Sequence, residues 1–221
     1  MVKTNIVKRK LKAHDQIYCS WVTIGHPLIP EILSPAGFDA LVVDMEHSSI
    51  TLENLLVLII SIENNGMAPF VRVGENNANL IKRVMDAGAF GVIVPNVCTA
   101  EDTTNAINSV KYPPSGTRGV GLYRAQGFGN KFNEYLYWLE NESVVIVQIE
   151  HIDAVQNIDE IFSVPGIDGF LIGPYDLSGS MGKPGKFDDN EVKEAITTVL
   201  EAGKKYSIPA GFHSVSSDWN E

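Results

Sequence analysis

The chain has 221 residues, 44% of them hydrophobic and 20% charged, and carries a net charge of −10. That length and apolar content suit one globular domain over residues 1–221 with a sizeable core. The acidity excludes an extended phosphate-binding surface for nucleic acid, although a few cations focused in one pocket can still hold a small anion.

The N-terminal stretch MVKTNIVKRKLKAHDQ is basic and lacks the apolar core of a signal peptide. Residues 17–24 read as a first strand and 29–36 as a helix stopped by Gly37. A second strand over 40–45 leads to a helix over 52–64, started by Thr51 and stopped by Gly66. Residues 55–60 form the longest apolar run, far too short to span a bilayer. A third strand over 69–73 precedes a helix over 78–87 stopped by Gly88, and a fourth over 91–97 precedes a helix over 100–110 started by Thr99. After a helix over 132–139 come a fifth strand over 144–149, a helix over 154–162 and a sixth strand over 169–172. Asp189 then starts a helix over 190–206, with Gly203 read as its stop signal, and a seventh strand over 208–212 follows. The two cysteines, Cys19 and Cys98, make no disulfide framework, which suits a reducing cytoplasm.

The strand candidates are apolar on successive residues, as strands covered on both faces are. Their alternation with helices predicts an α/β domain. A TIM-type (β/α) barrel is the first expectation and an open doubly wound sheet the second. Seven strand–helix units are counted where a barrel has eight. The eighth strand and C-terminal helix are therefore expected to be missing, by C-terminal truncation or with another segment covering the exposed edges. Residues 112–131 form the longest irregular stretch, with two prolines, five glycines and two arginines. That mixture predicts an active-site or interface loop, the alternative being a surface excursion.

Ligands of parallel α/β folds sit at the carboxyl ends of the strands. Those ends carry Asp44, Glu46 and His47 after the second strand, Arg72 in the third, and Pro95 and Asn96 after the fourth. Gln148, Glu150 and His151 end the fifth, Asp176 follows the sixth, and His213 and Ser214 follow the seventh. Glu150 and Asp176 end consecutive strands, and two close carboxylates need a proton or a cation between them. A hard divalent cation fits that pair; the alternative is that each caps a turn or helix. Arg72 inside a strand needs an anion, either Asp44 or a bound carboxylate. His47 is a candidate base with Asp44 near enough to orient it. No lysine falls within a strand candidate, so a Schiff-base mechanism is not expected. No G-x-S-x-G occurs, and GTRGVG does not follow a strand that opens a helix, so neither a nucleophile elbow nor a nucleotide cofactor is expected.

The segments VVDMEHSSITLENL, PFVRV, LIKRVMDAGAFGVIVPNV, YPPSGTRGVG, VQIEH and DGFLIGPYDLSGSMG together resemble the HpcH/HpaI aldolases, the metal-dependent class II pyruvate aldolases, over about residues 11–212. The resemblance implies a (β/α)8 barrel of the phosphoenolpyruvate/pyruvate superfamily, assembled as a hexamer, a trimer of dimers. It implies Glu150 and Asp176 as ligands of Mg²⁺, Mn²⁺ or Co²⁺. It implies that Gln148 and the Tyr175 backbone contact the pyruvate moiety, and that Arg72 holds the keto oxygen and stabilises the enolate. His47 would serve the proton transfers, Asp86 of a neighbouring subunit would raise its basicity, and Asp44 would support the same network. The implied reaction is reversible cleavage of a 4-hydroxy-2-oxo acid to pyruvate and an aldehyde, with no membrane partner. The alternatives are oxaloacetate decarboxylation, a CoA-thioester lyase on the same barrel, or an inactive barrel acting only in assembly. This chain departs from the family pattern in lacking the eighth unit and in placing Tyr175 where a small residue is common.

Overall fold

The structure, a computed structural model, describes residues 3–214. Seven strands make one sheet: β1 (Cys19–Val22), β2 (Ala40–Asp44), β3 (Ala68–Arg72), β4 (Gly91–Val94), β5 (Val144–Ile149), β6 (Gly169–Ile172) and β7 (Ala210–Gly211). They hydrogen-bond in chain order, and every pair is parallel. A doubly wound sheet would reverse its strand order at a switch point. This sheet does not, so the open-sheet alternative is excluded and the sheet forms a curled barrel wall. Seven strands, not eight, lie among the described residues, and β1 does not pair with β7. The two edges nonetheless face each other, because Trp21 of β1 and His213 beyond β7 have ring centroids 5.2 Å apart.

The outer layer holds α2 (Leu28–Leu33), α3 (Leu52–Asn64), α4 (Ala78–Ala87), α5 (Ala100–Val110), α6 (Phe132–Asn141), α7 (Ile152–Gln156), α8 (Ile158–Ser163), α9 (Pro174–Ser180) and α10 (Asn190–Tyr206); α1 (Ile6–Ala13) precedes the sheet. Helices α3, α4, α5 and α10 have the expected bounds because their ends are chemically marked. Thr51 with Asn54 and Thr99 with Asp102 form reciprocal capping boxes. Gly37, Gly66 and Gly88 sit at φ of 78°, 82° and 110°, where a side chain is strained. Gly203 is not a stop: α10 continues through it to Tyr206. It is small because a Cβ there would lie 2.5 Å from the Phe170 ring. The helix read over 154–162 is two short helices broken at Asn157.

Two helices escape the sequence reading. Pro174 to Ser180, which reads as a small hydroxyl-rich loop, is α9, started by Pro174 in its first turn. The basic N-terminal stretch forms α1, which lies across the N-terminal end of the strands. Lys8 pairs with Asp168 and Lys10 with Asp39 at 2.7 Å, each acid directly preceding a strand. The fully buried Asn5 caps α1 through its Oδ1 and donates from Nδ2 to the carbonyls of Phe90 (3.2 Å) and Glu142 (2.8 Å).

The long segment 112–131, expected as an active-site or interface loop, does not take the first of these roles within this chain. Helices that follow parallel strands run back toward the strand N-termini, so their C-terminal ends mark that end of the barrel. The segment packs there, with Arg124 donating to the Ala87 carbonyl at the end of α4 and pairing with Glu63 at the end of α3. Its anchor is Arg118, which has no exposed side-chain surface and donates to Val110 O, Tyr112 Oη and Tyr135 Oη at 2.8, 3.0 and 2.8 Å. Within this chain the segment is not a loop over the strand C-termini.

Candidate active site

The sequence pattern puts polar residues where strands β2 to β7 run out, and the sheet register brings them together. Asp44 and Arg72 are direct register partners at the ends of β2 and β3. Arg72 donates from Nε to Asp44 Oδ1 at 2.9 Å and from one terminal nitrogen to Oδ2 at 2.6 Å. This two-point pairing is the planar geometry a guanidinium offers and an ammonium does not. Trp21 covers the same group, its ring centroid 4.6 Å from Arg72 Cζ. Of the two partners expected for Arg72, Asp44 is the one seen. Burial pushes the Asp44 carboxyl up, but the hydrogen bonds and charge of Arg72 outweigh it and leave the group below its ordinary range.

Asp44 also organises the segment after β2. Its Oδ1 accepts from the backbone N–H groups of Glu46 (3.1 Å) and His47 (3.2 Å), and its carbonyl accepts from Ser48 Oγ. Asp44 therefore fixes the backbone of His47 rather than its ring, which corrects the expected Asp44–imidazole contact. The acid nearest the ring is Glu46, with Oε2 3.8 Å from His47 Nε2. The His47 side chain is 61% exposed and points out of the packed layer.

Gln148 and Glu150 lie two residues apart near the end of β5 and so share a face. Both are buried, at 4% and 3% exposure. Glu150 is held by neutral donors: Gln148 Nε2 donates to Oε2, and the Asn96 N–H donates to Oε1 at 2.7 Å. Asn96 aims that N–H from a left-handed conformation, φ 52°, which asparagine tolerates better than most residues. Gly173, just after β6, lets the chain pass close to this carboxylate. A Cβ there would sit 2.7 Å from Glu150 Oε2 and 2.8 Å from its Cβ.

Asp176 lies exposed in the first turn of α9, beyond the strand that neighbours β5. Tyr175 beside it is 62% exposed and rests edge-on against Phe187, centroids 4.8 Å apart. Asp86 lies elsewhere in this chain. At the end of α4 its Oδ1 is 3.2 Å from Arg118 Nη2. Burial holds its carboxyl above the ordinary range despite the Arg118 charge. His213 faces the Arg72 side of the site, and burial first, then the Arg72 charge, lower its imidazole.

Glu46 is the residue that sequence reasoning named at a strand end and then passed over. Its Oε2 is buried and makes no hydrogen bond among the described residues, although Arg72 Nε lies 3.3 Å away. Burial, then the Glu150 charge, hold its carboxyl above the ordinary range. No sequence pattern separates such an acid from a surface one; the signal is the orphaned oxygen. Arg72 balances Asp44, which leaves Glu46, Glu150 and Asp176 in surplus at these strand ends. No group of three or more metal-ligating side chains occurs among the described residues. Glu150 and Asp176, the two acids expected to share a cation, follow the neighbouring strands β5 and β6.

Comparison with known proteins finds relatives over most of the chain. The sequence profile of the HpcH/HpaI aldolase/citrate lyase family matches residues 18–221. A 5-keto-4-deoxy-D-glucarate aldolase of Klebsiella pneumoniae subsp. pneumoniae is 36% identical over 209 residues, 94% of this chain and 81% of that protein. The crystal structure of an HpcH/HpaI aldolase/citrate lyase family protein from Burkholderia cenocepacia superposes with a TM-score of 0.90 at 32% identity, covering 96% of this chain and 85% of that one. An HpcH/HpaI aldolase from Desulfitobacterium hafniense gives 0.88 at 30% identity, covering 97% and 83%. The chain belongs to the HpcH/HpaI aldolase/citrate lyase family.

Proposed function

We propose that this protein is a divalent-metal-dependent aldolase that cleaves a 4-hydroxy-2-oxo acid to pyruvate and an aldehyde, reversibly. The observation that carries the reading is the buried Glu150, held by amide donors alone beside the orphaned Glu46 oxygen, with Arg72 the cation in their midst. Glu150 and Asp176 would hold the metal. A divalent cation bound there supplies Lewis-acid polarisation of the 2-oxo group.

The chain's own residues account for the remaining steps. Arg72, fixed by Asp44 and Trp21, presents positive charge where an enolate oxygen develops and needs no reorganisation to do so. Gln148 reaches the same face as Glu150 and contacts the 2-oxo acid. The N-terminal turn of α9 at Tyr175 offers backbone N–H groups to its carboxylate. His47, exposed at the rim, takes the proton of the 4-hydroxyl during cleavage, while the enolate carbon takes its proton from water to give pyruvate; synthesis reverses both transfers. The assembly is a homo-oligomer in which Asp86 serves the His47 of a neighbouring copy.

The chemistry of the relative's substrate supports the class. In 5-keto-4-deoxy-D-glucarate the ketone adjoins a carboxylate, the deoxy carbon follows, and a hydroxyl carbon comes next. Counted from that carboxylate it is a 4-hydroxy-2-oxo acid, and cleavage beyond the deoxy carbon releases pyruvate and a three-carbon aldehyde acid. The test is dialysis against EDTA, then return of Mg²⁺ or Mn²⁺, with pyruvate release measured on this substrate. Activity abolished by chelation and restored by metal is expected; full turnover without metal would falsify the reading.

A further inference from the structure

We infer that Glu46 is a positioning residue for His47, holding the imidazole over the site from within the same chain. The inference rests on the aldolase reading above and gives the orphaned Glu46 oxygen a partner that reading does not assign.

Asp44 cannot perform this task. Its Oδ1 already accepts three hydrogen bonds, from Arg72 Nε and the two backbone N–H groups, and Oδ2 is occupied by the other arm of Arg72. Arg72 does not require Glu46 either. Its Nε is satisfied by Asp44 at 2.9 Å, and the 3.3 Å approach to Glu46 is not a hydrogen bond. The acceptor left over is Glu46 Oε2, buried and without a donor. The polar ring atom facing it is His47 Nε2, at 3.8 Å.

The surroundings of Glu46 favour this partner. Asp44 from β2 and Glu150 from the end of β5 face it with like charge, and Arg72 from β3 faces it already paired. His47 stands on the remaining side. The backbone of both residues is pinned to one carboxylate, so the Glu46 side chain stays inside, at 11% exposure, while the ring swings at the rim. A shift of about 1 Å of that exposed ring brings Nε2–H to hydrogen-bond distance, satisfies the orphaned oxygen and leaves Nδ1 as the nitrogen that takes the 4-hydroxyl proton.

The experiment uses the full-length protein with Mg²⁺, as wild type, Glu46→Ala and Glu46→Asp. Three quantities are read: pyruvate release from 5-keto-4-deoxy-D-glucarate, exchange of pyruvate methyl protons in D₂O by NMR, and ¹³C relaxation of the His47 ring. Exchange reports enolate formation without any 4-hydroxyl proton. Glu46→Ala is expected to lower kcat for cleavage by about tenfold or more, with KM and methyl exchange within about threefold of wild type. The His47 ring should become more mobile, and Glu46→Asp should recover part of the loss. Methyl exchange falling in step with cleavage, or cleavage left unchanged, overturns the inference. Ring relaxation needs no turnover, so an unchanged His47 ring overturns it separately. A wild type that neither cleaves nor exchanges refutes the aldolase reading instead. If Glu46→Ala fails to fold, Glu46→Met carries the same comparison, because it keeps the length of the side chain and removes the acceptor.

Discussion

Replacing Gly173 by alanine tests whether the Glu150 carboxylate is positioned for a ligand or merely packed. Gly173 has φ −93° and ψ 87°, which alanine can adopt, so the cost is steric and not conformational. The new methyl would meet Glu150 Oε2 at 2.7 Å, Glu150 Cβ at 2.8 Å and Gln148 Nε2 at 3.5 Å. The oxygen could swing away at little cost, but the Cβ is fixed to the end of β5 and can move only with its strand. Reaching ordinary contact requires about 0.6 Å or more of displacement, and overpacking of this kind costs about 1–3 kcal/mol. The displaced atoms are those that would hold the metal and the 2-oxo acid, so Mn²⁺ affinity and kcat/KM should each fall by about 10–100-fold. Gly179, six positions along in α9, is the control, since a Cβ there meets nothing within 4 Å. Gly179→Ala should leave both quantities unchanged and stabilise the chain by up to about 1 kcal/mol. Calorimetric Mn²⁺ titration with urea unfolding separates the two effects. Wild-type metal affinity in Gly173→Ala would show that the close approach has no bearing on a metal site.

Other changes have expected outcomes of their own. Arg118→Leu removes four hydrogen-bonded contacts and leaves Asp86 facing an apolar side chain, so urea unfolding should show a loss of about 3–5 kcal/mol; a loss below about 1 kcal/mol would refute the anchoring role. Arg72→Lys keeps the charge but not the two-point pairing, and kcat for pyruvate release should fall by about 100-fold or more, with near-wild-type turnover as the contrary result. Burial, then Glu150, raise the folded-state carboxyl of Glu46, so the stability it contributes is full below the ordinary carboxylate range and is lost as pH rises through the raised one. Glu46→Gln escapes that loss. Its stability relative to wild type should therefore grow from about pH 4 toward neutrality, and a pH-independent difference refutes the sign.

The parallel α/β architecture is legible because both its periodicities are. Val144–Ile149 is continuously apolar up to Gln148, and Leu52–Asn64 begins at a threonine and ends near a glycine. The polar strand ends were legible for the same reason, since each acid follows an apolar run. What the sequence hides is direction and partnership. Nothing in DMEH tells which acid faces the imidazole; that depends on how Asp44 winds the following backbone around itself. Pro174–Ser180 looks like a loop because glycine and serine are poor helix formers, yet packing of the buried Leu177 and Ser178 makes it helical. Residues 112–131 have the composition of a binding loop, and only the contacts of Arg118 and Arg124 place them at the other end of the barrel.

The N-terminal helix has a consequence for how this chain is assembled in time. Lys8 and Asp168 are 160 residues apart, and Asn5 and Glu142 are 137 apart. Contacts of such separation come late, because the intervening chain must already be ordered to bring their ends together at tolerable entropy. Helix α1 is thus among the last elements to dock, waiting on β6. Until then its own amphipathic turn of helix and the unsealed strand bases are open to solvent. Extensions fused ahead of Lys3 should slow refolding more than they lower final stability, since they burden the closing step and not the finished barrel.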